Sequence, residues 1–170
     1  MINATTGALP QTVEGKEAIL YTVDRVRSKR CNRCCGGWLY HDLGSGQFQL
    51  VNDKQCNAVF EVKFNANVGA PAAAESSTTP TATTGTSQAA ETAATPAAAG
   101  TDMKFAIMSN GEAIGGTEML ATVPAGKLEN IAATTLVQVP HGASVTITVD
   151  NIGSASAVVQ DGNITLTKVA

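Results

Sequence analysis

Four cysteines and two histidines are the side chains here best suited to chemistry. Cys31-Asn32-Arg33-Cys34 has the spacing of a metal knuckle, Cys35 follows at once, and Cys56 stands about twenty residues on, with His41 between. A structural zinc ion takes four tetrahedral sulfur or nitrogen ligands and stabilises modules too small to fold securely alone. Cys31, Cys34, Cys35, Cys56 and His41 are therefore candidate metal ligands. The usual second Cys-x-x-Cys pair is missing, and one of the adjacent Cys34 and Cys35 would be surplus. Two other states stay open beside structural zinc: reduced, buried thiols, and disulfides formed after release from the cell.

A second cluster is basic. Arg25, Arg27, Lys29, Arg30 and Arg33 crowd one short segment. Guanidinium groups pair bidentately with carboxylates, so these five residues are candidates for docking onto another protein. A solvated surface and a phosphate-binding patch are the alternatives, and strong salt-sensitive binding to generic DNA would mark the latter. The net charge of −3 argues against a general polyanion binder.

No catalytic residues are expected, and the chain is read as non-enzymatic. His41 and His141 are the only imidazoles, and neither belongs to a Ser/His/Asp or Cys/His signature. Gly36-Gly37 and Gly44-Ser45-Gly46 read as tight turns, because no Gly-Lys-Ser/Thr or helix-forming segment follows. Trp38 and Tyr40 could stack on a sugar, but core anchoring of a small β-rich module is the expectation.

The elements that must position these residues differ along the chain. Residues 69–101 are nearly all Ala, Thr, Ser, Pro and Gly, a composition unable to bury enough apolar area to offset its backbone entropy. They read as an extended linker, with ends about 30 Å apart if coil-like. Residues 1–68 hold every cysteine and the single tryptophan; residues 102–170 hold one aromatic, Phe105. Two separate modules are expected on either side of the linker. Each is near the size at which a domain needs a metal, a disulfide or a partner chain.

Both modules read as all-β. In the second, β-branched runs at Lys104–Ser109, Glu118–Val123, Asn130–Val139, Ser144–Asp150 and Asn163–Val169 are separated by Asn110-Gly111, Pro124-Ala125-Gly126 and Pro140-His141-Gly142. Val145, Ile147 and Val149 alternate with polar residues, giving one apolar face, and evenly spaced strands of this kind point to an antiparallel jelly roll. In the first, strands are expected at Glu17–Arg27, Trp38–Tyr40, Gln47–Val51 and Ala58–Phe64. With so few aromatics, the second module's apolar faces are expected to be buried between copies. No apolar run is long enough to span a membrane, and no secretion signal is read.

The motifs Phe105 to Thr117, Val137-Gln138-Val139-Pro140-His141-Gly142, Val145 to Asn151 and Asn163 to Val169 resemble the C-terminal jelly roll of tumour-necrosis-factor-like trimers. Tips of bacterial collagen-like surface proteins and of tailed-phage structural proteins carry such heads. Gly-x-y repeats are absent here, so the resemblance implies a tip on a non-collagen stalk, similar to a phage head-fibre or capsid decoration protein. It implies a homotrimer on the capsid exterior of a virion, made in the host cytoplasm, with residues 1–68 gripping the major capsid protein. A carbohydrate-binding adhesin tip directed at a host surface glycan and a zinc-dependent nucleic-acid-binding module are the rival readings.

Overall fold

The computed structural model describes residues 1–26, 38–42, 44–71 and 100–170. Every regular element among them is a strand: β1 (Ile2–Thr5), β2 (Gln11–Val13), β3 (Val23–Val26), β4 (Trp38–His41), β5 (Phe48–Val51), β6 (Ala58–Gly69), β7 (Thr101–Ser109), β8 (Glu112–Ala113), β9 (Met119–Val123), β10 (Leu128–Val139), β11 (Ser144–Asn151) and β12 (Ala157–Lys168). They form two antiparallel sheets packed face to face. One has the order β10-β6-β12-β1-β3, with β2 continuing the β1 column along β12; the other has β4-β5-β11-β7-β8, with β9 also on β7.

Eight of these strands pair in a nested way: β1 with β12, β5 with β11, β6 with β10, and β7 with β9. First meets last, second meets second-last, and so inward. That is a long antiparallel hairpin rolled up into two layers, the jelly roll expected from the strand pattern. The roll does not lie in residues 102–170 alone, however. Three of the eight nested strands, β1, β5 and β6, come from residues 1–69, and the expected division into separate modules at 1–68 and 102–170 is overturned.

The core shows why. Phe48, Phe60, Phe64 and Tyr21 from the first half pack with Phe105, Ile107, Val123, Ile147, Ile164 and Leu166 from the second in one buried cluster. The aromatic-poor half lacks bulk only when read alone. Its apolar strand faces are covered by the other half of the same chain, so their burial does not require sister copies.

Local sequence sets the register. Asn110 and Gly111 both have positive φ, 51° and 84°, as a two-residue primed hairpin turn between β7 and β8 demands. Within β12, Ala157 and Val159 face the core, and so do Ile164 and Leu166, although the parity differs. A bulge between Gln160 and Asn163, with Asp161 at φ 53°, inserts the extra residue that restores the phase. A Cβ on Gly162 would lie 2.7 Å from the Thr6 side chain, so glycine is needed where β12 crosses the end of β1.

One buried asparagine closes each end of the sandwich. At one end Asn52 donates through Nδ2 to Cys56 O (2.8 Å) and Val139 O (2.9 Å), joining the β5–β6 and β10–β11 crossings. At the other, Asn151 donates to Val13 O (3.1 Å) and Ala155 O (2.8 Å), joining β2 to the β11–β12 crossing. β6 ends, and β7 begins, at the Asn151 end. Gly69 pairs with Leu128 and Val158 there, Thr101 pairs with Val123, and both flank the 124–127 turn. The Ala/Thr-rich stretch therefore does not separate two modules as a tether; both its roots are fixed at one end of one sandwich.

Two outcomes follow. Residues 102–170 expressed alone lack β1, β5 and β6 and should remain unfolded, seen as collapsed amide dispersion by NMR. Replacing residues 72–99 by a short Gly/Ser linker should keep the fold and move Tm by only a few degrees. Closure entropy is logarithmic in length, so a four-fold shortening changes it by about 1 kcal/mol.

Candidate functional site

The structure separates the described members of the cysteine and histidine set. Cys56 is exposed in the β5–β6 crossing at the Asn52 end. His41 closes β4 opposite Phe48, a strand's length away, roughly 10 Å at about 3.3 Å per residue. Both His41 ring nitrogens are engaged: Nδ1 lies 2.7 and 2.8 Å from the Asp24 carboxylate oxygens, and Nε2 lies 3.0 Å from Ser45 O. His41 therefore does not fit the ligand role expected of it. Cys31, Cys34 and Cys35 lie outside the described residues. Among the described residues, no three His, Cys, Asp or Glu side chains gather closely enough to hold a metal ion.

The histidine at the 52–56 loop is His141. Its Nδ1 contacts Lys54 O, and its Pro140-His141-Gly142 turn is bound to Asn52 through Gly142 N–H to Asn52 O (2.9 Å). Sequence spacing pointed to His41 because it stands between the cysteines. The pairing of His141 with the 52–56 loop depends on the β10–β11 crossing, which is remote in sequence.

Of the basic residues, Arg25 is exposed on β3, opposite Asn3 of β1. Arg27, Lys29, Arg30 and Arg33 lie outside the described residues. Their roots are nonetheless placed: β3 runs toward the Asn52 end, and β4 begins there with Trp38 opposite Val51. The basic segment and the Ala/Thr-rich stretch are thus rooted at opposite ends of the sandwich.

Tyr40 corrects another expectation. It is 57% exposed and donates its hydroxyl to Asp42 Oδ1 at 2.7 Å, so it is not a core anchor. That hydrogen bond and the Asp42 charge raise its titration. The buried tyrosine is Tyr21, edge-on to Phe48 at 5.2 Å, with burial, and secondarily Asp150, raising its titration well above the ordinary range. Nothing in the Glu17–Arg27 alternation marked Tyr21 as the core member, because only Val23–Val26 of that run forms a strand.

A shallow, open cleft lies beside this region. Gln11, Glu17, Leu20, Ser45 and Gln47 are among its lining residues, and the Gln11 amide is already committed to Leu20, donating to its O and accepting from its N–H, each at 3.0 Å.

One lateral side of the sandwich is open in a different sense. β10 pairs with β6 over its whole length without a bulge and, among the described residues, carries no ladder on its other edge. It has no proline, and Glu129 is its only charge. Leu128 and Leu136 on β10 are 50% and 63% exposed, and Leu120 on β9 is 72% exposed. Long, straight, uncharged edges are usually blunted in monomers because they template pairing with another chain.

No protein-family description matches the chain, and no curated protein does. Similar solved structures include the CBM22-1 and GH10 modules of a Clostridium thermocellum endo-1,4-β-D-xylanase 10B complexed with xylohexaose. That protein is 12% identical, with a TM-score of 0.31 and alignment over 97% of this chain. The chain spans about a quarter of that structure's length, 26%. A similarity this low supports no inference about activity or ligand.

Asp150 supplies a prediction. Burial, opposed by a Thr148 hydrogen bond, raises its titration. A carboxyl whose folded titration point is raised stabilises the fold below its unfolded value and loses that contribution as pH rises through the folded value. Asp150→Asn should therefore raise stability at neutral pH, by well under ~1 kcal/mol given its partial exposure, and the gain should vanish as pH falls through the acid range in thermal melts.

Proposed function

We propose that this chain is a non-enzymatic structural protein of a phage virion, a head-fibre or capsid decoration protein that works as a homotrimer. The observation carrying this reading is the β10 side. Its bare edge and the exposed Leu128 and Leu136 along it form a surface that self-association would cover. The nested strand order supports it too, as the architecture expected from the resemblance to tumour-necrosis-factor-like trimers.

The roles within the particle change from those a tethered pair of modules would have. Arg25, Arg27, Lys29, Arg30 and Arg33 remain the docking candidates for the major capsid protein, now as a segment rooted at one end of the sandwich. Docking by that end sets the root of residues 72–99 at the far end, facing away from the capsid. Copies joined along β10 would present several basic segments together, so weak contacts would add to durable attachment.

Light scattering of the intact protein at micromolar concentration should give the mass of three chains. Leu128→Glu with Leu136→Glu should shift that mass to one chain while the melting transition persists, because both side chains face solvent in the single chain. A wild-type mass of one chain, or failure to find the protein on purified virions, would remove the reading.

A further inference from the structure

We propose that the outer surface around Leu120 on β9 is the second half of the contact between copies, receiving the β10 margin around Leu136 of the next copy in a closed ring. This rests on the homotrimer reading above and deepens it. Symmetry demands a second surface. A two-fold pair can join one patch to itself, but a ring of three is heterologous: each copy meets one neighbour with one patch and the other neighbour with a different one. The β10 margin supplies only the first.

The strand alternation places the other. On β10, Ile131, Val137 and Val139 are buried, so Leu136 stands on the outer face of its sheet. On β9, Met119, Ala121 and Val123 are buried, so Leu120 stands on the outer face of the other sheet. The 124–127 turn joins the two strands, and β9 lies against β10. The two leucines therefore flank one lateral side of the sandwich from its opposite faces. Among the described residues only Leu9 is a more exposed large hydrophobic than Leu120, and Leu9 belongs to the β1–β2 connection, on the far side of β12 from β10.

Each leucine has an ion pair beside it, and the two pairs are of opposite order. Leu136 stands opposite Glu61 in the β10–β6 ladder, and Lys63 Nζ lies 3.0 Å from the Glu61 carboxylate. Leu120 stands opposite Lys104 in the β9–β7 ladder, and Lys104 Nζ lies 2.8 Å from the Glu118 carboxylate. All four charged side chains are partly exposed, between 29% and 55%. Leucine laid on leucine thus sets an acid-flanked patch on a base-flanked one, with Glu61 of one copy facing the next copy's Lys104. Exposed pairs of this kind add little to the stability of a single chain. Across an interface they select the partner surface and fix its register. The leucines supply the apolar area, and the charges decide which patch each one takes.

Light scattering and thermal melts of full-chain variants test this. Leu120→Glu should shift the mass from three chains to one while the melting transition persists, since Leu120 faces solvent in the single chain. Lys104→Glu and Glu61→Lys should each raise the concentration at which trimers form, by about tenfold or more, and the two substitutions together should bring it back toward the wild-type value. That recovery cannot come from within one copy, because in the double variant position 104 still lies beside Glu118 and position 61 beside Lys63. The charge variants decide the matter if Leu120→Glu lacks a melting transition. Trimers that persist in folded Leu120→Glu, or a double variant no tighter than the single ones, would overturn this contact and leave the β10 reading standing. A wild-type mass of one or two chains would remove that reading itself, so the two failures are told apart.

Discussion

The fold depends on the two-sided pairing of β12. One edge of this strand is bonded to β6 from Val158 to Lys168, and the other to β2 and β1. Its neighbours thus come from the first 69 residues, and its partners' hydrogen bonds cannot be made locally. Remove it and β2 has no ladder, the β1–β3 pair is cut off from β6, the Phe60–Phe64 face of β6 loses Ile164 and Leu166, and the core opens along its length. The bulge at Asp161-Gly162 belongs to the same constraint, since without it either the first or the second half of β12 would turn its apolar residues to solvent.

Much of this was legible in the sequence, for identifiable reasons. The strict alternation of Val145, Ile147 and Val149 and the Asn110-Gly111 turn are local signals, and the strands they mark stand where expected. β12 was legible only from Asn163, because the bulge breaks the period-two pattern that identifies a strand. β1 was missed because Ile2 and Ala4 offer too short an alternation to register. The division into modules failed for a physical reason: composition reports what each half contains, whereas the nested pairing decides which halves share a core. The candidate site suffered likewise. His41 stands near the cysteines in sequence, yet β4 carries it away from Cys56 and into contact with the Asp24 carboxylate, a partner no spacing rule would choose.

What emerges is an object with two different ends and one bare side. Asn52 gathers two crossings near Cys56, His141 and the roots of the basic segment; Asn151 gathers the crossings near the roots of the Ala/Thr-rich stretch. Using asparagine at both places is chemically economical. Its amide can donate twice while its oxygen accepts, so a single buried side chain satisfies backbone groups on two crossings at once. The difference between the two ends therefore comes from where the crossings lie.

The bonding of the earliest strand to the latest also bears on how the molecule is made. At about 5–20 residues per second, roughly ten to thirty seconds of translation separate β1 from β12. Within that interval β6, with its Phe60, Val62 and Phe64 face, has neither of its neighbours until β10 is made and only one of them until β12 is made. A nascent chain thus carries an oily, pairing-competent strand uncovered for much of its synthesis, and that strand is where the incomplete chain is most exposed to pairing with another.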